Sequence, residues 1–512
     1  MILFRSRAGY QSWNWRRCNF VVPALIAGVL SGALLCAEAL QAQPPAAERN
    51  QLRASKQDEP VQLLAAATEN IITPAIRDVG VYEDLYARTL VLSDGTTTVA
   101  LVALDLGGLS PVASADRLRT IVHRASGIPV DHIGLICSHT HNARSPDDDT
   151  WLQDKQPSSA ELKVEDDWFA DLDIPSPFTR WMYGQIAESV RRARQNLRPA
   201  VLRTGRAEVQ VGHNRRLARS DGSITMRPNL HGAVVPWVDV LDVATRQSDK
   251  GATQESEKGS SPGYDGLLFS HPAHPVIVHA TSDKIGPDFP GFAVNHLRRL
   301  QAASGRARAV TMFAQGCAGN INGYPLKGGL AAADTAGLSL ALAASRATKD
   351  LQQVRPAKIR IATRRLALPL TVPSVAQAKK WVEHRPNNKY YREMLEVAES
   401  GESRTMPFPI SVIGIGEDLC FLLLPHDIFA EYQLFADKAS QARQTFVFGY
   451  TNGTGSYVGT KRDYLLGERG GYETSPLGQP STSSYRFPPQ PAAEALIHAA
   501  ISELLDQVQP RE

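Results

Sequence analysis

The chain has few cysteines for its length, with five among 512 residues. Cys18 and Cys36 lie in the N-terminal segment, which leaves Cys137, Cys317 and Cys420, each in or beside an apolar run. An odd number without regular spacing does not make a disulfide framework, so buried free thiols are favoured and one pair stays open. The spacing also offers no cysteine zinc knuckle. Any metal ion would need histidine and carboxylate ligands.

A strong charge imbalance is also absent, because the formal net charge is only +3. No cluster of Lys and Arg with interleaved aromatic residues recurs along the chain, which argues against nucleic acid as a partner. The sequence shows no internal repeat and no convincing domain break. A content of 43% hydrophobic and 21% charged residues is that of an ordinary globular protein.

Beyond the N-terminal region, no segment is long and apolar enough to span a bilayer. Near the N-terminus, four arginines precede an uncharged apolar run over residues 20–36, and small residues follow it near Ala42. This pattern predicts a secretory signal peptide over residues 1–42 and a secreted or periplasmic protein. An uncleaved anchor helix is the alternative. We expect a flexible lead-in over residues 43–65 and a single domain over residues 66–512.

Apolar strands alternate with amphipathic helices along the rest of the chain. A hairpin is expected around the turn at residues 93–95, and helices are expected over residues 112–125 and 328–347. The run "HPVIVHATS" predicts a strand that ends at His279. This order predicts an α/β protein in which helices pack on a layered, mixed β-sheet.

Two histidines, His139 and His141, follow the apolar strand over residues 135–137. In a strand they would point to the same side, although this pattern alone is typical of ordinary histidines. However, His279 and Asp427 also end apolar strands, and α/β enzymes gather their sites at strand ends. Imidazoles with one carboxylate and an open position form the ligand set of catalytic zinc.

Six regions resemble, in the same order, the catalytic domain of the neutral, non-lysosomal ceramidases and their bacterial relatives. "SHTHN" resembles T-H-T-H-S-G-P, "GHNRR" resembles N-R-S, and "VIVHATS" resembles V-H-P/G-T-S. "FAQGCAGNIN" resembles Q-S-N-x-G-D-V-S-P, and "LLLPHDIFAEY" resembles L-P-G-E-F. "YTNGTGSYVGTKRDY" and "GGYETS" resemble N-x-Y-x-x-Y-x-T-x-E-E-Y and R-Y-E-x-A-S.

The resemblance implies a zinc-dependent amidohydrolase that acts on linear amides, with a metal-activated water attacking an acyl carbonyl. His139 and His279 match zinc-binding histidines of the family. Asp427 matches the carboxylate ligand, and Tyr457 matches an unusual phenolic ligand. The implied substrate is a small-molecule or lipid N-acyl amide, and transient contact with a membrane surface is left open.

Three further residues, His141, Arg215 and Tyr472, match groups that line the reaction centre. By this match His141 stays free of the metal, where it assists the oxyanion or moves protons. Asn322 stands where the family has a serine important for activity. Asp105 is a candidate by position alone, since it lies at a strand end where it could orient an imidazole or serve in a cap or loop.

The chain departs from the family pattern in several places. Asp427 replaces a glutamate, and residues 142–144 replace S-G-P. Few residues follow "GGYETS", so we expect the C-terminal immunoglobulin-like domain of the family to be missing. Three hypotheses stay open: a secreted zinc hydrolase of ceramide-like amides, a zinc hydrolase of a non-lipid amide, ester or lactone, and a non-catalytic binding protein with the same fold.

Overall fold

A computed structural model describes the chain from the end of the lead-in to the C-terminal helix. The described residues are 61–73, 79–143, 165–245, 265–304, 310–478 and 483–509. They belong to one unit, Pro60–Glu512. The predicted signal segment lies outside the described residues, as does most of the lead-in, and the first strand begins at Leu64.

The strands of this part of the chain are short and mostly buried. They are β1 (Leu64–Ile71), β2 (Tyr86–Ser93), β3 (Thr98–Leu104), β4 (Ile133–Cys137), β5 (Arg198–Glu208), β6 (Gly212–Ala218), β7 (Ile224–Asn229), β8 (Trp237–Thr245), β9 (Gly266–His271), β10 (Val310–Gln315), β11 (Ile321–Gly323), β12 (Gln352–Gln353), β13 (Ile359–Pro369), β14 (Thr405–Ile415), β15 (Leu419–Leu423), β16 (Asp427–Ile428), β17 (Gln444–Phe448) and β18 (Tyr457–Val458).

The α-helices alternate with these strands. They are α1 (Val112–Ser126), α2 (Pro177–Gln195), α3 (Asp288–Ala303), α4 (Leu330–Ala347), α5 (Val375–His384), α6 (Lys389–Ser400), α7 (Ala430–Ala439), α8 (Lys461–Tyr464), α9 (Gly471–Thr474) and α10 (Ala493–Val508). No helix within the described ranges combines the length and the apolar character needed to cross a membrane.

Two large sheets form the centre of the fold. The first has the strand order β10-β9-β8-β5-β1-β2-β3-β4, with β12 paired to β5. Most of its pairs are antiparallel, but β3–β4 and β9–β10 are parallel, so the sheet is mixed. The second sheet has the order β13-β14-β15-β17. Two small sheets, β11-β6-β7 and β16-β18, carry residues of the candidate site.

The alternation of side chains along each strand decides the layers. In β1, Ala66 packs in the same hydrophobic cluster as α1 and α2, whereas Ala65 and Ala67 pack in the cluster between the two sheets. The opposite face of the second sheet is covered by α10 and its neighbours. Successive strand residues face opposite sides, so each sheet buries two faces. The layered mixed α/β architecture predicted from the sequence is confirmed.

One predicted strand is absent. The run that begins at His274 forms turns, and the strand before it ends at His271. Pro272 and Pro275 have no N–H to donate to a ladder, which explains why pairing stops there. His279 therefore lies in a turn and not at a strand end.

Candidate metal centre

The first imidazole of the site follows β4, which ends two residues before it. His139 has a left-handed backbone with φ of 65°, so the chain turns directly after the strand. Its Nδ1 lies 2.5 Å from the carbonyl oxygen of Gly107. A carbonyl only accepts, so Nδ1 carries the proton and Nε2 presents a lone pair.

The second imidazole is His274, which the sequence analysis did not select. It is fully buried, and its Nδ1 donates to the carbonyl oxygen of Ala318 at 2.7 Å. Backbone bonds also fix it, because His274 N–H donates to the carbonyl of Ile321 and the His274 carbonyl accepts from Gly323. The Nε2 lone pair of His274 is thereby held in one direction, as it is in His139.

A carboxylate completes this group. Asp427 begins β16, and its Oδ1 lies 3.0 Å from Nε2 of His139 and 3.3 Å from Nε2 of His274. The backbone of Gly319 packs so closely on this strand that a Cβ atom there would lie 2.2 Å from the Asp427 carbonyl oxygen. Only glycine permits that approach.

Three electron-pair donors thus converge without a hydrogen atom between them. Nε2 of His274 and Oδ1 of Asp427 are buried and have no hydrogen-bond partner. A proton does not fill the gap at His274, because burial and the nearby Arg215 lower the pKa of this imidazole to about 3. Ligand atoms about 2.0–2.1 Å from a tetrahedral zinc lie roughly 3.3 Å apart, which is the spacing seen here. The donor set fits a metal cation that prefers imidazole and carboxylate.

The structure brings His141 to the same place. One ring nitrogen each of His139, His141 and His274 lies within 4.8 Å of the others, a group that could hold a metal ion. His139 and His141 therefore lie on the same side of the chain, as predicted. A turn after β4 brings them together, and not the alternation of side chains along a strand. His141 is the exposed member, yet its pKa is lowered, because protein atoms crowd the ring and because His139 and His274 are close.

The predicted ligand His279 lies outside this group of three. Its ring contacts that of His141, with centroids 5.0 Å apart, and the described contacts of Asp427 run to His139 and His274 instead. The prediction placed His279 at the end of a strand. The chain instead turns after His271, and His274 takes the position beside Asp427 that was predicted for His279. We therefore propose His274 as the second histidine ligand in place of His279.

The predicted phenolic ligand, Tyr457, is buried beside the carboxylate. Asp427 and Tyr457 are register partners in the parallel pair β16–β18. The ring of Tyr457 lies 6.5 Å from that of His274, and the ring of Tyr472 lies 5.7 Å from that of Tyr457. Tyr472 is 44% exposed, so it faces solvent at the edge of the site. Burial raises the pKa of both phenols.

A buried guanidinium closes another side of the site. Arg215, on β6, donates to Oδ1 of Asn322 and to the carbonyl of Gly319, each at 2.8 Å. Its Nε lies 2.8 Å from Oε1 of Glu473. Burial by itself would lower the pKa of Arg215, but Tyr457 and Glu473 outweigh it and raise the pKa. Asn322 thus accepts a hydrogen bond from Arg215. The guanidinium of Arg215 stays charged.

The same carboxylate binds a second arginine. Oε2 of Glu473 accepts from Arg216 at 2.5 Å, and Arg216 also donates to Asp463 at 3.0 Å. Glu473 and Arg216 were not selected from the sequence, although both lie inside segments that were compared with the family. Their role could not be read there, because the two segments are far apart in sequence and meet only in the fold.

Asp105 lies at the predicted strand end, directly after β3, but its side chain bonds to partners other than an imidazole. Its Oδ2 accepts from Arg88 at 2.7 Å and from the backbone N–H of Tyr86 at 3.0 Å. The imidazoles of the site are oriented by the carbonyls of Gly107 and Ala318 instead. The side chain of Asp105 therefore links the end of β3 to β2. This agrees with the loop role that the sequence left open.

The comparisons with known proteins first identify the fold as that of the ceramidase catalytic domain. Neutral ceramidase from Pseudomonas aeruginosa shares it with a TM-score of 0.58 at 17% sequence identity, over 89% of this chain and 76% of that one. A ceramidase complexed with C2 shares it with a TM-score of 0.58 at 15% identity, over 88% and 76%. No protein-family model and no curated protein sequence matches the chain. At these identities the likeness confirms the fold that the resemblance implied.

Proposed function

We propose that this protein is a zinc-dependent hydrolase that cleaves an acyl amide. The observation that carries the proposal is the convergence of one carboxylate oxygen and two Nε2 lone pairs, whose imidazoles are each fixed by a backbone carbonyl at Nδ1. His139, His274 and Asp427 would hold the metal, with Tyr457 as the fourth protein ligand. Bound zinc would supply a Lewis acid and lower the pKa of a bound water.

The remaining residues are arranged for an anionic transition state. Arg215 stays charged among buried partners, and Tyr472 presents a phenol that keeps its proton. Preorganised donors of this kind typically contribute about 2.7–4 kcal/mol each to transition-state stabilisation. His141 is neutral and has an edge open to solvent, so it would accept a proton from the attacking water and then pass that proton to the leaving amine. These features support a catalytic over a purely binding protein.

The surface around these elements supports a lipid N-acyl amide as substrate. Tyr324 and Leu326 follow β11 and are 52% and 41% exposed. Met226, on β7 beside β6, is 38% exposed. We propose that these exposed apolar groups, which lie on or beside the elements that carry Asn322 and Arg215, contact the acyl chain of a lipid substrate. We extend the proposal to export through the signal segment and to brief contact with a membrane surface.

A substrate panel with a metal measurement tests the proposal. Purified mature protein is analysed for zinc and assayed on long-chain N-acyl amides, short-chain amides, esters and lactones. We expect about one zinc per chain and amide hydrolysis that a chelator abolishes and added zinc restores. A fully folded native protein without metal, or hydrolysis that survives complete metal removal, would contradict it. Preference for a short-chain ester or lactone would keep the chemistry and change the substrate.

A further inference from the structure

Gln315, the last residue of β10, hydrogen-bonds through its side chain to the residues that precede two proposed ligands and not to the ligands themselves. We propose that it is a positioning residue that sets the spacing between His139 and His274. The inference rests on the proposed function, since it concerns the geometry of that metal centre. Gln315 is fully buried, and its amide bonds only to backbone.

Its amide joins the two residues that immediately precede the imidazole ligands. Nε2 of Gln315 donates to the carbonyl oxygen of Ser138 and to that of Ala273, each at 2.9 Å. Its Oε1 accepts from the backbone N–H of Ala273 at 3.3 Å. Ser138 leads directly into His139, and Ala273 leads directly into His274. One planar group therefore holds both ligand-bearing segments at fixed separation.

The topology of the sheet explains why such a link is needed. β4 and β10 stand at opposite ends of the strand order, and within the described residues no ladder pairs them. β4 and β10 nevertheless lie close together, which requires the sheet to curve. The Gln315 amide crosses the gap between the ends of these two strands. The chain after β17 enters the same gap, because Gly449 N–H donates to the Gln315 carbonyl and Cys137 N–H donates to the Tyr450 carbonyl.

Only an amide satisfies this position. A carboxylate could accept from Ala273 but could not donate to two carbonyls, and an apolar side chain would leave both carbonyls without that donor. In either case the segments before His139 and His274 are no longer joined by hydrogen bonds to the same side chain. A metal that requires ligand atoms at fixed distances would then bind more weakly, as it does when groups behind the ligands are removed in other metal proteins.

The test compares two buried glutamines. Gln315→Met keeps the volume and removes the amide. Gln444→Met is the matched control, because Gln444 is also buried and its Nε2 also donates twice, to the carbonyl of Gly205 and to Asp239. Zinc affinity is measured by competition with a chromophoric chelator. The visible spectrum of the cobalt-substituted protein reports coordination geometry independently of activity.

We expect Gln315→Met to bind zinc about 10–100-fold more weakly and to change the cobalt spectrum, while Gln444→Met leaves both unchanged. Gln315→Glu should resemble Gln315→Met, because it loses both donated bonds. For a variant that folds only with metal, the zinc concentration that restores folding gives the same comparison. Wild-type affinity and spectrum in both Gln315 variants would overturn the inference. If the wild-type protein binds no zinc, this result would instead contradict the proposed function.

Discussion

Asp427 and Tyr457 are paired residue to residue in the two-stranded parallel sheet β16–β18. Side chains of directly paired residues leave a sheet on the same face, so the carboxylate and the phenol are held side by side. The two residues lie thirty positions apart in the sequence, as their numbers show. This pairing places the Tyr457 phenol beside the Asp427 carboxylate, where we propose it as the fourth donor after two nitrogens and one oxygen.

The first prediction concerns which histidines bind metal. His139→Ala and His274→Ala should each abolish zinc binding, because each removes one converging lone pair. His279→Ala is the control and should keep zinc, since this side chain contacts His141 and lies outside the group. Zinc content after equilibration with buffered metal is the measurement. Loss of zinc from the His279 variant together with its retention in the His274 variant would restore the original assignment.

The second prediction separates a ligand from a catalytic group. His141→Ala should retain zinc and lose roughly 10²–10³-fold in kcat, because it removes an interaction made mainly in the transition state. Steady-state kinetics on the best substrate of the panel, with zinc content measured in parallel, gives the answer. If this variant loses zinc as fully as His139→Ala does, His141 is itself a ligand, which its position within 4.8 Å of the other two nitrogens would allow.

The third prediction concerns the carboxylate shared by two arginines. Glu473→Gln leaves Arg215 and Arg216 buried with one charge fewer, and breaking a buried pair typically costs about 3–5 kcal/mol. The control is Glu399→Gln, because Glu399 and Lys379 form an exposed pair at 3.5 Å, worth about 0–1 kcal/mol. Urea denaturation measures both free energies of unfolding. Equal losses in the two variants would show that Glu473 does not hold the guanidinium groups.

The fourth prediction is a pH dependence of stability. Burial lowers the pKa of His271 to about 4, below the value near 6.5 of an unfolded histidine. Between these values the unfolded chain binds more protons, so the stabilisation is present above about pH 6.5 and is lost as pH falls toward 4, by about 3 kcal/mol at most. Asp239 acts in the opposite direction, because burial raises its pKa to about 6.

A variant isolates the contribution of His271. His271→Gln replaces the imidazole, whose Nδ1 donates to the carbonyl of Trp237 at 2.8 Å, by a polar side chain that does not titrate. Its free energy of unfolding should fall less between pH 6.5 and 4 than that of the wild type. His384→Gln, at an exposed position of α5, is the control. Parallel pH profiles for wild type and His271→Gln would show that this imidazole does not titrate on unfolding.

Much of the fold could be predicted because it depends on local patterns. The continuous apolar runs of β2 and β3 and the turn between them predicted the hairpin, and Asp94 closes that turn by accepting from the N–H of Thr97. The helix predicted over residues 112–125 is found at Val112–Ser126. The strand predicted through residues 274–279 was wrong, because apolar character was counted while Pro275 was not.

The sequence by itself indicated the kind of ligands that a metal site in this chain would need, and several of the residues that lie together in the fold. Few cysteines and strand-end histidines pointed to imidazole and carboxylate ligands, and His139, His141 and Asp427 do lie together. These residues could be found because each lies within four residues after the end of a buried apolar strand, a feature that is visible along the chain.

Only the tertiary structure decided which second histidine joins them and what holds the group in place. His274 enters the site because the chain turns after β9 and bonds to β11, and a pattern in sequence does not give the direction of that turn. Gln315 and Glu473 act through partners more than a hundred positions away, as in the bonds to Ser138 and Arg216. Such contacts depend on how the edges of the sheet meet, which is a property of the packed chain and not of any one segment.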